Sequence, residues 1–88
     1  MPYIKQEYRE VVEEPLSDLF DKVMCTPTQD RPGVITYCIY KLFMDMNTNH
    51  FVAFAILLGI LDSVGKEFYR QVVAPYEDEK IQQNGDVK

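Results

Sequence analysis

Cysteine, histidine and positive charge are all scarce in this chain of 88 residues, and each scarcity removes a class of function. The two cysteines, Cys25 and Cys38, make neither a Cys-x-x-Cys pair nor a disulfide framework. The N-terminus has no basic segment followed by an apolar one, so the sequence predicts a reduced, cytoplasmic protein. A single histidine, His50, stands beside the start of a predicted helix, where it reads as a surface or capping residue. Cys38 falls on the inward face of another helix, where a thiol acts as a small hydrophobe, so no nucleophile-base pair is available. No Glu-x-x-His pair of the di-metal bundles is present, and the successive acids of YEDEK lack the alternating ligands and the glycine of a calcium loop. The expectation is no enzyme, no metal and no cofactor.

Basic residues number 9 against 14 acids, a net charge of −5, and the acidic excess lies at the two ends of the chain. No basic stripe is offered to a phosphate backbone, which argues against non-specific nucleic-acid binding. The longest apolar run, Phe51 to Leu61, covers 11 residues, where a membrane span needs about 20. It reads as a buried helix segment, and no membrane contact is expected.

What is present is apolar surface. The chain is 47% hydrophobic and 26% charged, too apolar to stay disordered. It is short enough for a single domain, and a domain this small buries only roughly 60% of its unfolded surface. Apolar residues in excess of its own core therefore point toward a partner.

The apolar positions Tyr8, Val11, Val12, Leu16, Leu19, Phe20, Val23 and Met24 recur at helical spacing. Pro15 divides them, predicting a short turn and then a helix over 15–24. CTPTQDRPG reads as a loop, with Asp30 as a cap and Pro32 in the first turn of a helix over 32–46. That helix is expected to bury Ile35, Cys38, Ile39, Leu42 and Met46, with Tyr37, Tyr40 and Met44 as a second stripe. NTNH is the next break, with Asn47 as a stop and Asn49 as an N-cap. A third helix over 49–74 ends before Pro75, and YEDEKIQQNGDVK follows as a polar turn over 75–88. Asn84-Gly85 cannot start a hairpin, because only three residues follow it.

Along the third helix Phe51, Phe54, Leu58, Leu61, Gly65, Phe68 and Val72 keep a 3-4-3-4 spacing suited to helix-on-helix packing. Val52, Ile56 and Ile60 form a second apolar stripe on the opposite side. A helix apolar on both sides must be surrounded, and two further helices supply little material for it. The fold class is thus all-α, a small three-helix bundle made of a helical hairpin plus an N-terminal helix in one domain over 1–88. It is expected to assemble as a homo-oligomer, a dimer or larger, through Val52, Ile56, Ile60 and Met44.

The opening MPYI resembles the start of the small tautomerases, whose N-terminal proline is a general base once Met1 is removed. That chemistry needs the proline at the tip of a β-strand, and KQEYREVVEE has no period-two alternation. Tyr3 and Ile4 read instead as an apolar hook that packs the N-terminus onto the bundle or a neighbouring subunit.

With MPYI and PGVITYCIYKL, the stretch GKEFYRQVVAPYEDEKIQQNGDV resembles a family of small prokaryotic and phage proteins classed as a domain of unknown function. The resemblance spans nearly the whole chain. It implies an α-helical fold and a bacterial, archaeal or phage source, and it implies no reaction. Thr36 stands where the family pattern has Asn, and Gln71 where it has a second Arg.

On the polar side of the third helix, Lys66, Glu67 and Arg70 lie together, with Ser63 and Gln71 beside them. Glu67 and Arg70 at i, i+3 can pair with each other. Alternatively Arg70 can offer a planar donor to a carboxylate or phosphate, with Tyr69, Tyr37 or Tyr76 stacking nearby. Two functions follow. The first is a non-enzymatic oligomeric interaction module, a phage or mobile-element accessory that binds a protein partner. The second is a module for an anionic metabolite or nucleotide at a subunit interface lined by Tyr37, Tyr40, Lys66, Glu67, Arg70 and Tyr76.

Overall fold

The computed structural model describes residues 2–46 and 50–88. The helices are α1 (Gln6–Cys25), α2 (Arg31–Met46), α3 (Phe51–Phe68) and α4 (Ala74–Asn84), and no strand occurs among the described residues. A 3-10 turn, Thr28–Asp30, leads into α2, and a π-helical turn, Tyr69–Val73, joins α3 to α4 without a break. The all-α class is therefore correct, and the helices form three rods, the last running from Phe51 to Asn84.

α1 is longer than the predicted 15–24. Its first turn is set by the Lys5 carbonyl, which accepts from the Tyr8 and Arg9 amides at 3.0 and 3.2 Å, and by Arg9 Nε, which donates to the Ile4 carbonyl at 2.8 Å. Pro15 sits inside this 20-residue helix and does not end it. A proline removes one backbone bond locally, and the Glu-rich flanks propagate the helix across the gap.

The loop after α1 is held by a residue that periodicity did not single out. Arg31 opens α2 and reaches back, its Nε donating to the Thr26 carbonyl and its Nη2 to the Met24 carbonyl, both at 3.0 Å. A cation thus satisfies carbonyls at the negative end of α1. Asp30, expected as a cap, is the last residue of the 3-10 turn, while Pro32 does lie in the first turn of α2. The stop expected at Asn47 and the cap at Asn49 lie outside the described residues, as does Met1. His50 caps α3: its Nδ1 accepts from the Val52 amide at 3.2 Å.

The C-terminal segment corrects the sequence reading. The α-helix expected to continue to residue 74 gives way at Tyr69 to the π turn, and the segment from 75 is no polar turn but helix α4, with Pro75 in its first turn. Proline cannot donate to the carbonyl four residues back, and its ring crowds that carbonyl. Widening the preceding turn by one residue absorbs the conflict and lets the rod continue. α4 ends at Gly85, whose φ of +86° favours glycine and whose amide donates to the Ile81 carbonyl at 2.8 Å.

The expected bundle core is not closed within one chain. Leu57 alone is buried among the described residues, at 9% exposure. Of the α2 residues expected inside, Cys38 is half-buried, whereas Ile35, Ile39, Leu42 and Met46 are exposed. The radius of gyration is 16.8 Å, against about 12 Å for a compact chain of this length. The accessible surface is 7928 Å², against about 5,400 Å² for a compact monomer of this mass.

Candidate functional site

The densest polar arrangement lies where the extended N-terminal arm meets the C-terminal half of α3. Pro2 rests against α3 in a groove with Ile56, Gly59, Ile60, Ser63 and Val64, and in a second with Val64, Glu67, Phe68, Gln71 and Val72. This places the Tyr3 hydroxyl 2.6 Å from Glu67 Oε1, to which it donates. Arg70 Nη2 donates to the same oxygen at 2.5 Å and Arg70 Nε to Oε2 at 3.3 Å. Gln71 Nε2 donates to the Tyr3 hydroxyl at 3.2 Å and to Glu67 Oε1 at 3.4 Å. Helical spacing explains why positions 67, 70 and 71 converge. Only the chain's path explains Tyr3, 64 residues away.

Electrostatically this is a carboxylate clamp. The Arg70 guanidinium, helped by the Tyr3 hydroxyl, holds the Glu67 carboxyl down at about 2. Glu67 in turn raises Arg70 above its ordinary value. The Glu67 side chain is 21% exposed and Arg70 66%, so the pair sits at a wet surface where its attraction is screened. Both carboxylate oxygens are occupied by donors. The i, i+3 pairing is thus the one present, and an anionic ligand at Arg70 would have to displace Glu67.

The remaining candidate residues are spread out. Lys66 pairs with Asp62 at 2.8 Å, which raises its pKa through the hydrogen bond and charge of that carboxylate. Lys66 and Asp62 line a shallow cleft with Leu61, Gly65 and Tyr69. The Tyr69 hydroxyl donates to Glu77 Oε1 at 2.6 Å across the π turn, and that carboxylate pushes the phenol's pKa up. Tyr76 lies one turn along α4 with Lys80 Nζ 5.5 Å from its ring centre. Tyr37 and Tyr40 are exposed on α2. Tyr40 borders a groove with Thr36, Ile39, Phe43 and Leu61, a different one from the cleft beside Lys66. Among the described residues Glu67 is joined to Arg70, while Tyr40, Lys66 and Tyr76 line three different clefts.

Two features escaped the sequence reading. Tyr3 reads in the sequence as an apolar hook, and in the structure its hydroxyl does the fastening. Leu57 belongs to neither predicted stripe of α3, yet it is the buried residue. It lies between the two stripes, and a continuous apolar run such as FVAFAILLGIL gives no periodic signal to single it out.

Among the described residues no group of three or more His, Cys, Asp or Glu is placed to hold a metal ion, and no helix is long and apolar enough to cross a membrane. A family model described as a domain of unknown function, DUF6899, matches residues 1–87. No curated protein and no solved structure matches the chain.

Proposed function

The chain belongs to the DUF6899 family, and from that premise we propose that it is a non-enzymatic, homo-oligomeric interaction module that folds to completion by association and then binds a protein partner. The carrying observation is the apolar surface left open. Ile56 is 58% exposed, Val52, Ile60 and Met44 are exposed with it, and apolar surface left open on this scale is rare on stable monomers. The surface in excess of a compact monomer, roughly 2,500 Å² per chain, is of the order that obligate interfaces bury.

In this reading Val52, Ile56 and Ile60 of α3 and Met44 of α2 supply a self-association face. The N-terminal arm, clamped through Tyr3 and Glu67, forms one wall of its groove. The acidic ends stay in solvent, keep the assembly soluble and disfavour nucleic-acid partners. A cytoplasmic setting and an accessory role in a phage or mobile element belong to the same proposal.

Native mass spectrometry of the protein purified from cells, repeated under denaturing conditions, tests it. Two or more chains with no additional retained mass is the expected result, and Ile56→Glu should split the assembly or prevent folding. A monomer at micromolar concentration overturns the proposal. Retained small-molecule mass would shift attention to the tyrosines of α2 and to Arg70.

A further inference from the structure

Resting on that reading, we propose that α3 carries a second, separate self-association face, the Phe51–Val72 seam, taken by the same seam of another copy, so that the assembly contains at least four chains. The seam consists of Phe51, Phe54, Leu58, Leu61, Phe68 and Val72, together with Gly65. Its spacing suits helix-on-helix packing, and within one chain its apolar side chains stay exposed. Phe51 is 80% and Leu58 66% exposed, and the other four apolar side chains are exposed as well.

The placement of Leu57 separates the two faces. At 100° per residue the seam and the Val52–Ile56–Ile60 stripe lie about 170° apart around α3, with the Leu57 line between them. The chain's own N-terminal arm rests beside Ile56 and Ile60 on one side and beside Phe68 and Val72 at the C-terminal end of the seam, and it leaves Phe51, Phe54, Leu58 and Leu61 exposed. A flat contact made on one face about a two-fold axis does not cover the other, and two isologous contacts of different kinds close an assembly of four where their two-fold axes are perpendicular and intersect.

The areas agree. A standard interface covers about 800 Å² on each partner, roughly a third of the excess of about 2,500 Å² per chain. The excess therefore has room for a second contact of standard size beside the first. The seam also continues onto α2: Leu61 borders the groove formed by Thr36, Ile39, Tyr40 and Phe43, which contains no charged side chain. A second copy fits this face because the seam is its own complement. Its three-four spacing recurs over about two and a half heptads of α3, from Phe51 to Phe68, so knobs of one copy meet holes of the other, and no charge interrupts the seam.

The experiment is native mass spectrometry of the full chain and of Leu58→Glu and Ile56→Glu, with circular dichroism as a check on helix content. The expected result is four chains for the parent and a halved mass for each variant. A monomeric parent overturns the oligomer reading as a whole. A dimeric parent that Ile56→Glu splits and Leu58→Glu leaves intact overturns the seam proposal alone, as does a tetramer indifferent to Leu58→Glu. Should Leu58→Glu lose its helix content, a photoreactive side chain at position 58 in mixed light and 15N-labelled chains decides the matter. Light-heavy cross-links that map to α3 of another copy support the seam, and cross-links confined to one chain overturn it.

Discussion

At the scale of the residue, Glu67 is held at both carboxylate oxygens, because three side chains donate to them. Its pKa, held near 2 instead of the ordinary 4.5, links the N-terminal arm to pH. A depressed carboxyl contributes stability that is complete above the ordinary value and is lost as pH falls through the folded one. The arm should therefore stay clamped down to about pH 4.5 and loosen progressively from there to about pH 2. Carboxyl-resolved NMR of the protein should show Glu67 titrating near pH 2; a midpoint near the ordinary 4.5 would refute the clamp. Because Arg70 is the largest cause of the depression, Arg70→Ala should move that midpoint upward. Tyr3→Phe should move it in the same direction while leaving the i, i+3 ion pair in place.

At the scale of the element, the two prolines act differently for a geometric reason. Pro75 lies where the rod can insert a π turn, so the crowded carbonyl is relieved and α4 starts with a proline in its favoured first turn. Pro15 lies mid-way along α1, with no such adjustment in the regular helix from Gln6 to Cys25. It forfeits a bond that alanine would restore, so Pro15→Ala should stabilise the protein by about 1–3 kcal/mol. Denaturant unfolding at one fixed protein concentration measures this, and a loss of stability would mean that the proline's shape is needed at a contact with another chain. The placement of these elements was largely legible. Helical spacing located α2 and α3, and the loop composition of CTPTQDRPG located the turn between α1 and α2. The boundaries at Gln6, Tyr69 and Asn84 were not legible, because a proline signals a lost hydrogen bond and says nothing of whether the flanks or a widened turn will compensate for it.

At the scale of the whole molecule, a chain that buries Leu57 alone among the described residues has too small a core to offset the entropy of ordering its helices. Folding and association should therefore be one equilibrium. The melting temperature should rise with protein concentration, as mass action requires when subunits stabilise one another. Thermal unfolding followed by circular dichroism over a hundredfold range of concentration checks this, and a constant melting temperature would show that a single chain is self-sufficient. The candidate polar site divides along the same line. Glu67 and Arg70 could be paired from their spacing, whereas Tyr40 and Tyr76 line different clefts among the described residues.

The amino-acid sequence by itself determined that this protein is helical, that α3 is apolar on opposite sides, and that Glu67 lies within reach of Arg70. Those properties depend on spacing along the chain and on side-chain chemistry, which are local. Only the tertiary structure decided that the N-terminal arm crosses α3 and fastens through Tyr3, that Leu57 is the buried line, and that the three-four seam stays open. Those outcomes depend on where distant segments lie relative to one another, and spacing along a helix carries no information about which of its apolar faces its own chain will cover.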